Sequence, residues 1–377
     1  MKPRLLAVGV FLLAVALFAA GCAGVANPEG WAPPVFEGDD ILLFLDKEEL
    51  SAVAYDGTSA VVLWTFPDEN LTSEKDIKLR SVYSEPVVDD DTVYIGSYEG
   101  DIYAIGRGDG RLRWSTEGQV SVSGSIVSGP VLSQGRLVFG TTEGFLYSVD
   151  AADGRPAEGW PRDGLSLSNR GIWATPIVES GVVYVGTMDS KLRAIDLATG
   201  EEVWEQPFEA GAGAIAELAS ASDGTLFVAT LGKEVFIVEK ATGLQVGESV
   251  PANGWIWTRP AIDAGIAYYG DFDGSLFAFD ITSQKTEWTE KTDGRVKSGP
   301  AVVGEWVIFA DESPAVSFVN RETGQIRNRV PIVDAGKIRA NVVGRDGVAY
   351  VVTTKGRLFK ADPSNFSVVE VPIGGTS

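Results

Sequence analysis

The sequence has no histidine and a single cysteine, Cys22, in 377 residues. Without histidine, the chain lacks the commonest general base, the commonest metal ligand and the usual axial ligand of haem iron. It also lacks the base that Ser-His-Asp catalysis requires. After Cys22 there is no thiol, which excludes internal disulfides, zinc–thiolate centres and thiol nucleophiles from the rest of the chain. We therefore predict no catalytic residue, no metal site and no cofactor.

Positive charge is also scarce. Lysine and arginine number 31 against 52 aspartate and glutamate residues, so that the formal net charge is −21 and the pI is near 4.4. Such a surface repels phosphate backbones and anionic lipid headgroups. The charge balance argues against a nucleic-acid partner and against broad adhesion to anionic membranes.

Long hydrophobic runs are confined to the N-terminus. Lys2 and Arg4 precede an apolar run over residues 5–20, and small residues lead from it to Cys22. This order is typical of a secretory signal, and the run is too short to be favoured as a permanent membrane span. The segment resembles the lipobox of bacterial lipoproteins, with Ala19 where leucine is commoner. That resemblance implies that Cys22 is acylated.

From this N-terminus we expect three segments. Residues 1–21 would be a lipoprotein signal peptide, residues 22–30 a lipid-anchored tether and residues 31–377 a single exported domain. A lipid on Cys22 would hold the protein at the cell membrane or the outer membrane, with the domain outside the cytoplasm. The alternative is an ordinary signal peptide that is cut nearby, with Cys22 incidental.

The rest of the chain is built on a repeat. A slot that proline usually fills lies twenty residues ahead of an acidic or turn-forming residue, and this offset recurs seven times. The pairs are Pro86 and Gly106, Pro130 and Asp150, Pro176 and Asp196, Ala219 and Glu239, Pro260 and Asp280, Pro300 and Asn320, and Val342 and Asp362. An eighth pair, Pro34 and Asp56, is two residues longer. Repeats of about forty residues with strand character indicate a β-propeller or a related array.

Each copy carries the same short apolar runs between the same turn residues. An apolar trio follows the slot by seven residues, as in residues 183–185, and glycine or acidic residues flank it. Such runs predict buried strands joined by hairpins. Four-stranded meanders bury their faces only when they are arranged radially. The predicted fold is therefore all-β: one monomeric, eight-bladed β-propeller of four-stranded antiparallel meander blades.

One stretch ties the repeat to a known family. Residues 194–204, with the sequence AIDLATGEEVW, resemble the tryptophan-docking repeat of the pyrroloquinoline-quinone (PQQ)-type propellers, and residues 104–114 and 278–288 are weaker copies. The resemblance covers roughly residues 31–373. It implies that the tryptophan of each copy packs between neighbouring blades and is structural. The tryptophans at this position are Trp64, Trp114, Trp204 and Trp288.

Lipobox, length and the lack of catalytic residues further resemble the BamB-like lipoproteins of outer-membrane assembly. That resemblance implies a non-catalytic scaffold that binds protein partners of the cell envelope. The same repeat also serves PQQ-dependent dehydrogenases, so a quinoprotein oxidoreductase is the alternative. Those enzymes carry a vicinal cysteine pair that this chain lacks. Residues 271–274 resemble the start of a calcium loop, but the aligned segments elsewhere are hairpin turns, and we interpret them as a turn.

A candidate binding surface follows from the position three residues before each proline slot. The slot leads into the innermost strand of a blade, so these positions should surround one mouth of the central channel. The candidate binding ring comprises Trp31, Tyr83, Trp173, Trp257, Lys297 and Arg339. Aromatic and cationic residues on loops of a rigid scaffold favour a protein partner, with a glycan or cell-wall ligand as an alternative. A purely structural interpretation, in which the aromatics wedge between blades, stays open.

Overall fold

The computed structural model describes residues 31–46, 49–79, 81–117 and 120–374. Within these ranges there are strands and turns but no α-helix, and accordingly no helix that could cross a membrane. The predicted signal peptide over residues 1–21, the predicted lipidation site Cys22 and the predicted tether over residues 22–30 lie outside the described residues.

The strands form eight sheets that follow one another along the chain. Blades 1 to 4 comprise β1 Val35–Glu37, β2 Asp40–Asp46, β3 Glu49–Tyr55 and β4 Ala60–Phe66; β5 Val87–Val88, β6 Thr92–Gly96, β7 Ile102–Gly106 and β8 Leu112–Ser115; β9 Val131–Ser133, β10 Arg136–Gly140, β11 Phe145–Asp150 and β12 Leu165–Ser166; β13 Ile177–Glu179, β14 Val182–Gly186, β15 Lys191–Asp196 and β16 Phe208–Glu209.

The second half of the chain repeats the pattern. Blades 5 to 8 comprise β17 Ile215–Ser220, β18 Thr225–Thr230, β19 Glu234–Glu239 and β20 Val250–Pro251; β21 Ala261–Asp263, β22 Ile266–Gly270, β23 Ser275–Asp280 and β24 Lys285–Lys291; β25 Ala301–Val303, β26 Trp306–Asp311, β27 Ala315–Asn320 and β28 Ile326–Pro331; β29 Val343–Arg345, β30 Val348–Val352, β31 Leu358–Asp362 and β32 Ser367–Glu370. Within each blade, consecutive strands pair antiparallel. The predicted eight-bladed propeller of four-stranded meander blades is confirmed.

The core lies between the blades because each sheet is buried on both faces. In β14, Val183 and Val185 pack against blade 3, whereas Tyr184 packs against blade 5. This alternation follows from the two-residue period of a strand, which sends successive side chains to opposite faces. The continuous apolar trios seen in the sequence are therefore strands that serve two interblade clusters at once.

The predicted tryptophans join neighbouring blades. The indole N–H of Trp204, on the connection that follows β15, donates to the carbonyl oxygen of Lys240 in blade 5 at 2.9 Å. The other predicted tryptophans make the same contact: Trp64 to Arg107 at 2.7 Å, Trp114 to Ala151 at 3.1 Å and Trp288 to Arg321 at 2.9 Å. Trp160 is a fifth, which the sequence pattern missed because it lies ten residues after Asp150 instead of eight; it donates to Leu197 at 2.8 Å.

Each of the predicted tryptophans lies over a glycine of the next blade. Gly243 has a φ of +72°, and a Cβ atom built there would lie 2.6 Å from the ring of Trp204. Gly110, Gly154 and Gly324 meet Trp64, Trp114 and Trp288 in the same way. The glycine thus meets two requirements, a left-handed backbone and a bare surface for the indole.

The acidic slot of the repeat caps the turn that follows it. The Oδ1 atom of Asp196 accepts the amide hydrogens of Ala198 and Thr199 at 3.0 and 2.8 Å. The bond from the Thr199 amide, chiefly, lowers the pKa of Asp196. Asp280 caps its turn through Thr282 and Ser283 in the same way. In blades 4 and 6 this aspartate therefore fixes the turn between the third and fourth strands.

The ring closes through the C-terminus. A short strand β33, Ile373–Gly374, pairs in parallel with β4 and adds a fifth strand at the outer edge of the four-stranded blade 1. The amide of Ala60 donates to the carbonyl oxygen of Pro372 at 2.8 Å, and Val371 is buried in the cluster between blades 8 and 1. The C-terminal residues thus add backbone hydrogen bonds to the side-chain contacts that already join the last blade to the first.

We predict that Gly243→Ala destabilises the protein more than Gly135→Ala. Gly135 has nearly the same backbone, with a φ of +73°, but no atom lies within 4 Å of its would-be Cβ. The control should therefore cost only the left-handed strain of about 1–2 kcal/mol. At Gly243 the clash with Trp204 should add about 1–3 kcal/mol. Urea unfolding followed by circular dichroism measures both, and equal losses would contradict the proposed indole contact.

Candidate functional site

The loops at one mouth of the channel are pinned to their blades by a recurring backbone hydrogen bond. In seven blades, an amide in the turn between the second and third strands donates to a carbonyl of the loop that leads into the blade, at 2.8–3.1 Å. The pairs are Tyr98 to Ser81, Thr142 to Ser125, Met188 to Gly171, Leu231 to Ala214, Phe272 to Trp255, Glu312 to Arg295 and Thr354 to Lys337. Residues on these loops are thus held by the rigid sheets.

The predicted ring assembles at this mouth. Five of its six members, Trp31, Trp173, Trp257, Lys297 and Arg339, line one cavity of about 260 Å³ together with Phe272. The sixth, Tyr83, lies edge-on to Trp31 with ring centroids 4.5 Å apart. We call these six residues the mouth ring.

The aromatic members contact one another across blades. The rings of Trp173 and Trp257, from the loops into blades 4 and 6, lie 5.4 Å apart in a T-shaped pair. This separation is in the favourable range for aromatic pairs. At the equivalent position of blade 5 stands Ala216, whose side chain is too small to keep the two tryptophans apart.

The cations of the ring stack on aromatic faces and share a carboxylate. Lys297 Nζ lies 4.9 Å from the ring centre of Phe272, and the guanidinium of Arg339 lies 5.3 Å from that of Trp31. Glu312 Oε1 lies 3.2 Å from Lys297 Nζ and 3.0 Å from Arg339 Nε. The three side chains therefore carry one net positive charge, and Glu312 is a site residue that the slot pattern did not identify.

Glu312 is held in its ionised form by these partners. Burial alone would raise the pKa of its carboxyl, but the hydrogen bonds and charges of Lys297 and Arg339 outweigh that effect and lower the pKa. A depressed pKa means that the folded state gains stability above the ordinary pKa of glutamate. The gain is lost as the pH falls through the depressed value.

Beneath the mouth ring, a second cavity of about 590 Å³ extends along the inner strands of blades 2, 3 and 4. Its walls carry Trp31, Tyr83, Tyr98, Trp173 and Trp257 together with a tier of polar residues. This channel tier comprises Glu85, Thr175, Glu217, Arg259 and Asn341. Most of its members directly precede a proline slot, so they point to the axis one step below the ring.

An ion pair spans the channel within this tier. Arg259, from the loop into blade 6, donates to Glu85 of the loop into blade 2 at 3.2 Å. Burial alone would lower the pKa of Arg259, but the charges of Glu217 and Glu85 outweigh it and raise that pKa. With two carboxylates and one guanidinium, the tier carries one net negative charge when both acids are ionised.

Glu217 reaches the channel because blade 5 departs from the repeat. Ala219 occupies the slot that proline fills elsewhere, so β17 starts at Ile215, before the slot, and its pairing with β18 shifts register between Ile215 and Glu217. Proline would have fixed the start of the strand, because it has no amide hydrogen to donate to the ladder. The absence of proline at this slot is the feature of the sequence from which the irregular strand could have been predicted.

The Glu217 carboxylate is buried and only partly satisfied. Its Oε2 atom has no hydrogen-bond partner among the described residues. Burial, chiefly, raises the pKa of Glu217 to about 7, against the lowering effects of Arg259 and of the Leu218 amide; Glu85 raises it further. A carboxylate in this state is unusual enough to mark a candidate site.

The channel does not fit the quinone of the alternative interpretation. PQQ carries three carboxylates, and the cavity presents Glu85 and Glu217 against the single guanidinium of Arg259. Burying like charges together is costly in a low dielectric.

The acidic segment over residues 271–274 is a hairpin turn, as predicted. The carboxylate of Asp271 accepts the amides of Asp273 and Ser275 at 3.0 and 2.8 Å, and that of Gly254 at 2.8 Å. Its oxygens thus serve the backbone. Within the described ranges, no cluster of three or more His, Cys, Asp or Glu residues is arranged to hold a metal ion.

Comparison with known proteins adds a family to this geometry. A family model described as "Outer membrane protein assembly factor BamB" matches residues 25–187 and 188–369. The BamB of Xanthomonas campestris pv. campestris is 30% identical over 314 residues, which cover 78% of this chain and 72% of the relative. The serine/threonine-protein kinase AfsK of Streptomyces griseus is 31% identical over 155 residues, but the match spans only 19% of the kinase.

Among solved structures, the crystal structure of BamB from Moraxella catarrhalis has a TM-score of 0.69. It covers 87% of this chain and 95% of that chain at 18% identity. At this identity the similarity shows the propeller fold alone.

We predict that Glu312→Gln lowers the free energy of unfolding at about pH 7 by roughly 1–3 kcal/mol, since it weakens charge-assisted hydrogen bonds to two cations. At about pH 3 the difference should shrink, because wild-type Glu312 is then increasingly protonated. Glu370→Gln is the matched control: Glu370 is exposed, so its ion pair with Arg357 is screened by solvent and the loss should be smaller than at Glu312. Urea unfolding at both pH values tests this; a loss independent of pH would contradict the assigned ion pairs.

Proposed function

The chain belongs to the family of the outer membrane protein assembly factor BamB, and from this premise we propose that it is a non-catalytic scaffold of the cell envelope. In this proposal it binds protein partners through the mouth ring and takes part in the assembly of outer-membrane proteins. The observation that carries the proposal is an aromatic and cationic ring on pinned loops.

The composition of the mouth suits a protein interface. Trp173 is 36% exposed and the neighbouring Trp255 is 49% exposed, although both carry large apolar rings. Tryptophan and arginine are the residues most enriched among interface hot spots. Because the loops are already fixed by backbone bonds, little entropy would be lost when a partner binds.

The charge of the mouth suggests the character of the partner. A net positive mouth on a protein of net charge −21 would orient an acidic segment toward the ring and repel it elsewhere. Lys297 is only partly buried, so its remaining donors can reach a bound carboxylate or carbonyl. We therefore expect an acidic, partly apolar segment of an envelope protein at this face.

The proposed location rests on the N-terminal sequence. Export by the signal peptide over residues 1–21 and acylation of Cys22 would place the propeller outside the cytoplasm, on a tether over residues 22–30. A single acyl chain binds membranes only marginally, whereas two or more give stable anchoring. The lipid would hold the propeller close to partners in the same membrane.

A glycan or cell-wall ligand is the second candidate, and the exposed faces of Trp173 and Trp255 favour it. Sugar rings stack on such faces as readily as peptide segments do. Titration with peptidoglycan fragments, monitored by tryptophan fluorescence, separates the two: saturable quenching would support a glycan site.

We predict that Trp173→Ala together with Trp257→Ala weakens partner binding by more than about tenfold. The lipidated protein, solubilised in detergent from its own envelope, should capture a component of the outer-membrane assembly machinery, identified by mass spectrometry. Affinity is then measured with the purified partner.

Leu244→Ala is the control for these truncations. Leu244 is 66% exposed but lies on the connection after β19, away from the mouth, so its loss should leave the affinity unchanged. The urea midpoint of each variant shows that the propeller is intact. A folded double variant that binds as tightly as wild type would rule out the mouth ring as the binding surface.

A variant that removes the charges of Lys297 and Arg339 must also remove that of Glu312, because this carboxylate pairs with both. Reversing Lys297 and Arg339 to glutamate would gather three carboxylates and risks unfolding. Replacing Lys297 and Arg339 with methionine and Glu312 with glutamine removes all three charges together. We expect this triple variant to stay folded and to lose most of the salt dependence of partner binding, because exposed charges are screened over about 8 Å at physiological salt. Unchanged salt dependence would show that the cations do not contact the partner.

We predict that Cys22→Ser moves the protein from the membrane fraction to the soluble fraction, or leaves it unprocessed. The reason is that the apolar run over residues 5–20 is removed with the signal, so the lipid would be the remaining anchor. Fractionation of cells and mass spectrometry of the mature N-terminus test this. Normal processing with unchanged membrane retention would refute acylation at Cys22.

A further inference from the structure

We propose that the central channel binds an organic cation, an ammonium or guanidinium group, between the aromatic walls and the carboxylates of Glu217 and Glu85. This inference stands apart from the proposed scaffold function, since it rests on the channel cavity alone. The cation could be a free small molecule or the basic side chain of an inserted peptide, and the experiments below separate these sources.

The first step is the unmet hydrogen-bonding capacity of Glu217. Its Oε2 atom is buried at the wall of the 590 Å³ cavity and has no partner among the described residues. A buried carboxylate oxygen left without a donor costs free energy, and native structures rarely retain one without a reason. Because Glu217 lines the cavity, a cation bound there would compensate the charge of this carboxylate, which the protein compensates only in part.

The second step is charge. Arg259 is the guanidinium nearest to Glu217, but its hydrogen bond goes to Glu85 on the far side of the channel, at 3.2 Å. Two carboxylates therefore share one cation, and the deficit is one positive charge. Arg259 also disfavours a divalent metal ion, because it holds a fixed positive charge among the few oxygen ligands. A singly charged organic cation matches the deficit.

The third step is the nature of the walls. Trp31, Tyr83, Tyr98, Trp173 and Trp257 border the same cavity. Aromatic faces attract ammonium and guanidinium groups within about 6 Å, and this attraction is strongest in desolvated sites. A cavity with apolar walls and a few convergent polar groups is also the usual form of a small-molecule site. Walls and carboxylates thus select the same class of ligand.

Thr175 and Asn341 show that some blades carry a neutral residue at this level of the channel. The amide of Gly129 donates to Thr175 Oγ1 at 3.2 Å, and the amide of Gly299 donates to Asn341 Oδ1 at 2.7 Å. In those blades a neutral side chain accepts the hydrogen bond of a backbone amide that faces the channel. The Oε2 atom of Glu217 accepts no such bond among the described residues, and in this respect Glu217 differs from Thr175 and Asn341.

The titration of Glu217 gives the site a pH signature. Its pKa is raised to about 7, so ionisation destabilises the folded state as the pH rises from the ordinary value of about 4.3 through about 7. The charged groups that act on it are Arg259 and Glu85, and Arg259 stays cationic throughout. A cation should therefore bind more tightly at about pH 8 than at about pH 5.5, and should stabilise the fold in proportion.

The test is calorimetric titration with three probes: tetramethylammonium, methylguanidinium and a short arginine-containing peptide with blocked ends. We expect at least one probe to bind in a ratio of one per chain at about pH 8 and more than about tenfold more weakly at about pH 5.5. Binding of the free cations assigns the site to a small molecule. Binding of the peptide alone assigns it to an inserted basic side chain, and both results support the proposal.

Glu217→Gln is the decisive variant. It keeps the shape but removes the charge, so probe binding should fall by more than about tenfold and lose its pH dependence. Without ligand, the variant should unfold at an equal or higher temperature than wild type at about pH 8, because a buried unpaired charge is gone. Glu305→Gln, an exposed carboxylate outside the channel, should leave both properties unchanged.

Three results would overturn the proposal. One is that no probe binds wild type at about 10 mM. Another is equal binding by wild type and Glu217→Gln, which would place the probes elsewhere. The third is that calcium ions bind the channel in a Glu217-dependent manner and exclude the organic probes. If Glu217→Gln failed to fold, Glu85→Gln with the same probes would decide, since it removes the other carboxylate of the pair.

Discussion

The structure depends on the contact in which a tryptophan of one blade lies on a bare glycine turn of the next. No disulfide ties the propeller together after Cys22, and every sheet buries both faces against neighbours. The indole ring buries apolar surface, and its N–H donates a hydrogen bond to a carbonyl of the adjacent blade. The glycine has no side chain, so the ring can lie directly on its backbone. Because this contact sets how blades are spaced, it also sets where the loops at the channel mouth stand.

One local departure from the repeat shapes the whole candidate site. In blade 5 the slot holds Ala219 instead of proline, and the strand pairing slips by one residue near Glu217. The slip leaves the small Ala216 at the mouth, which lets Trp173 and Trp257 meet. It also carries Glu217 into the channel. A single irregular strand thus accounts for both the aromatic arc and the buried carboxylate.

The fold could be predicted from the sequence because its governing offsets are local and periodic. The twenty-residue offset and the apolar trios are properties of one blade, so the eight blades and the position of the mouth ring followed from them. Trp160, Glu217 and Glu312 were missed for different reasons: a two-residue shift, a missing proline, and a contact made by a turn outside the slot pattern. The closing strand β33 was missed because parallel pairing between chain ends leaves no periodic trace.

The two levels of the channel differ in how their charges are compensated. At the mouth, Glu312 sits between two cations that also stack on aromatic rings, an arrangement that stabilises the fold by itself. Below it, Arg259 donates its hydrogen bond across the channel to Glu85. Glu217 interacts with the same guanidinium through charge. In other blades the neutral Thr175 and Asn341 face the channel and accept hydrogen bonds from backbone amides. The unfavourable energy of the Glu217 carboxylate in the folded state is best explained by a partner that enters the channel from outside the chain.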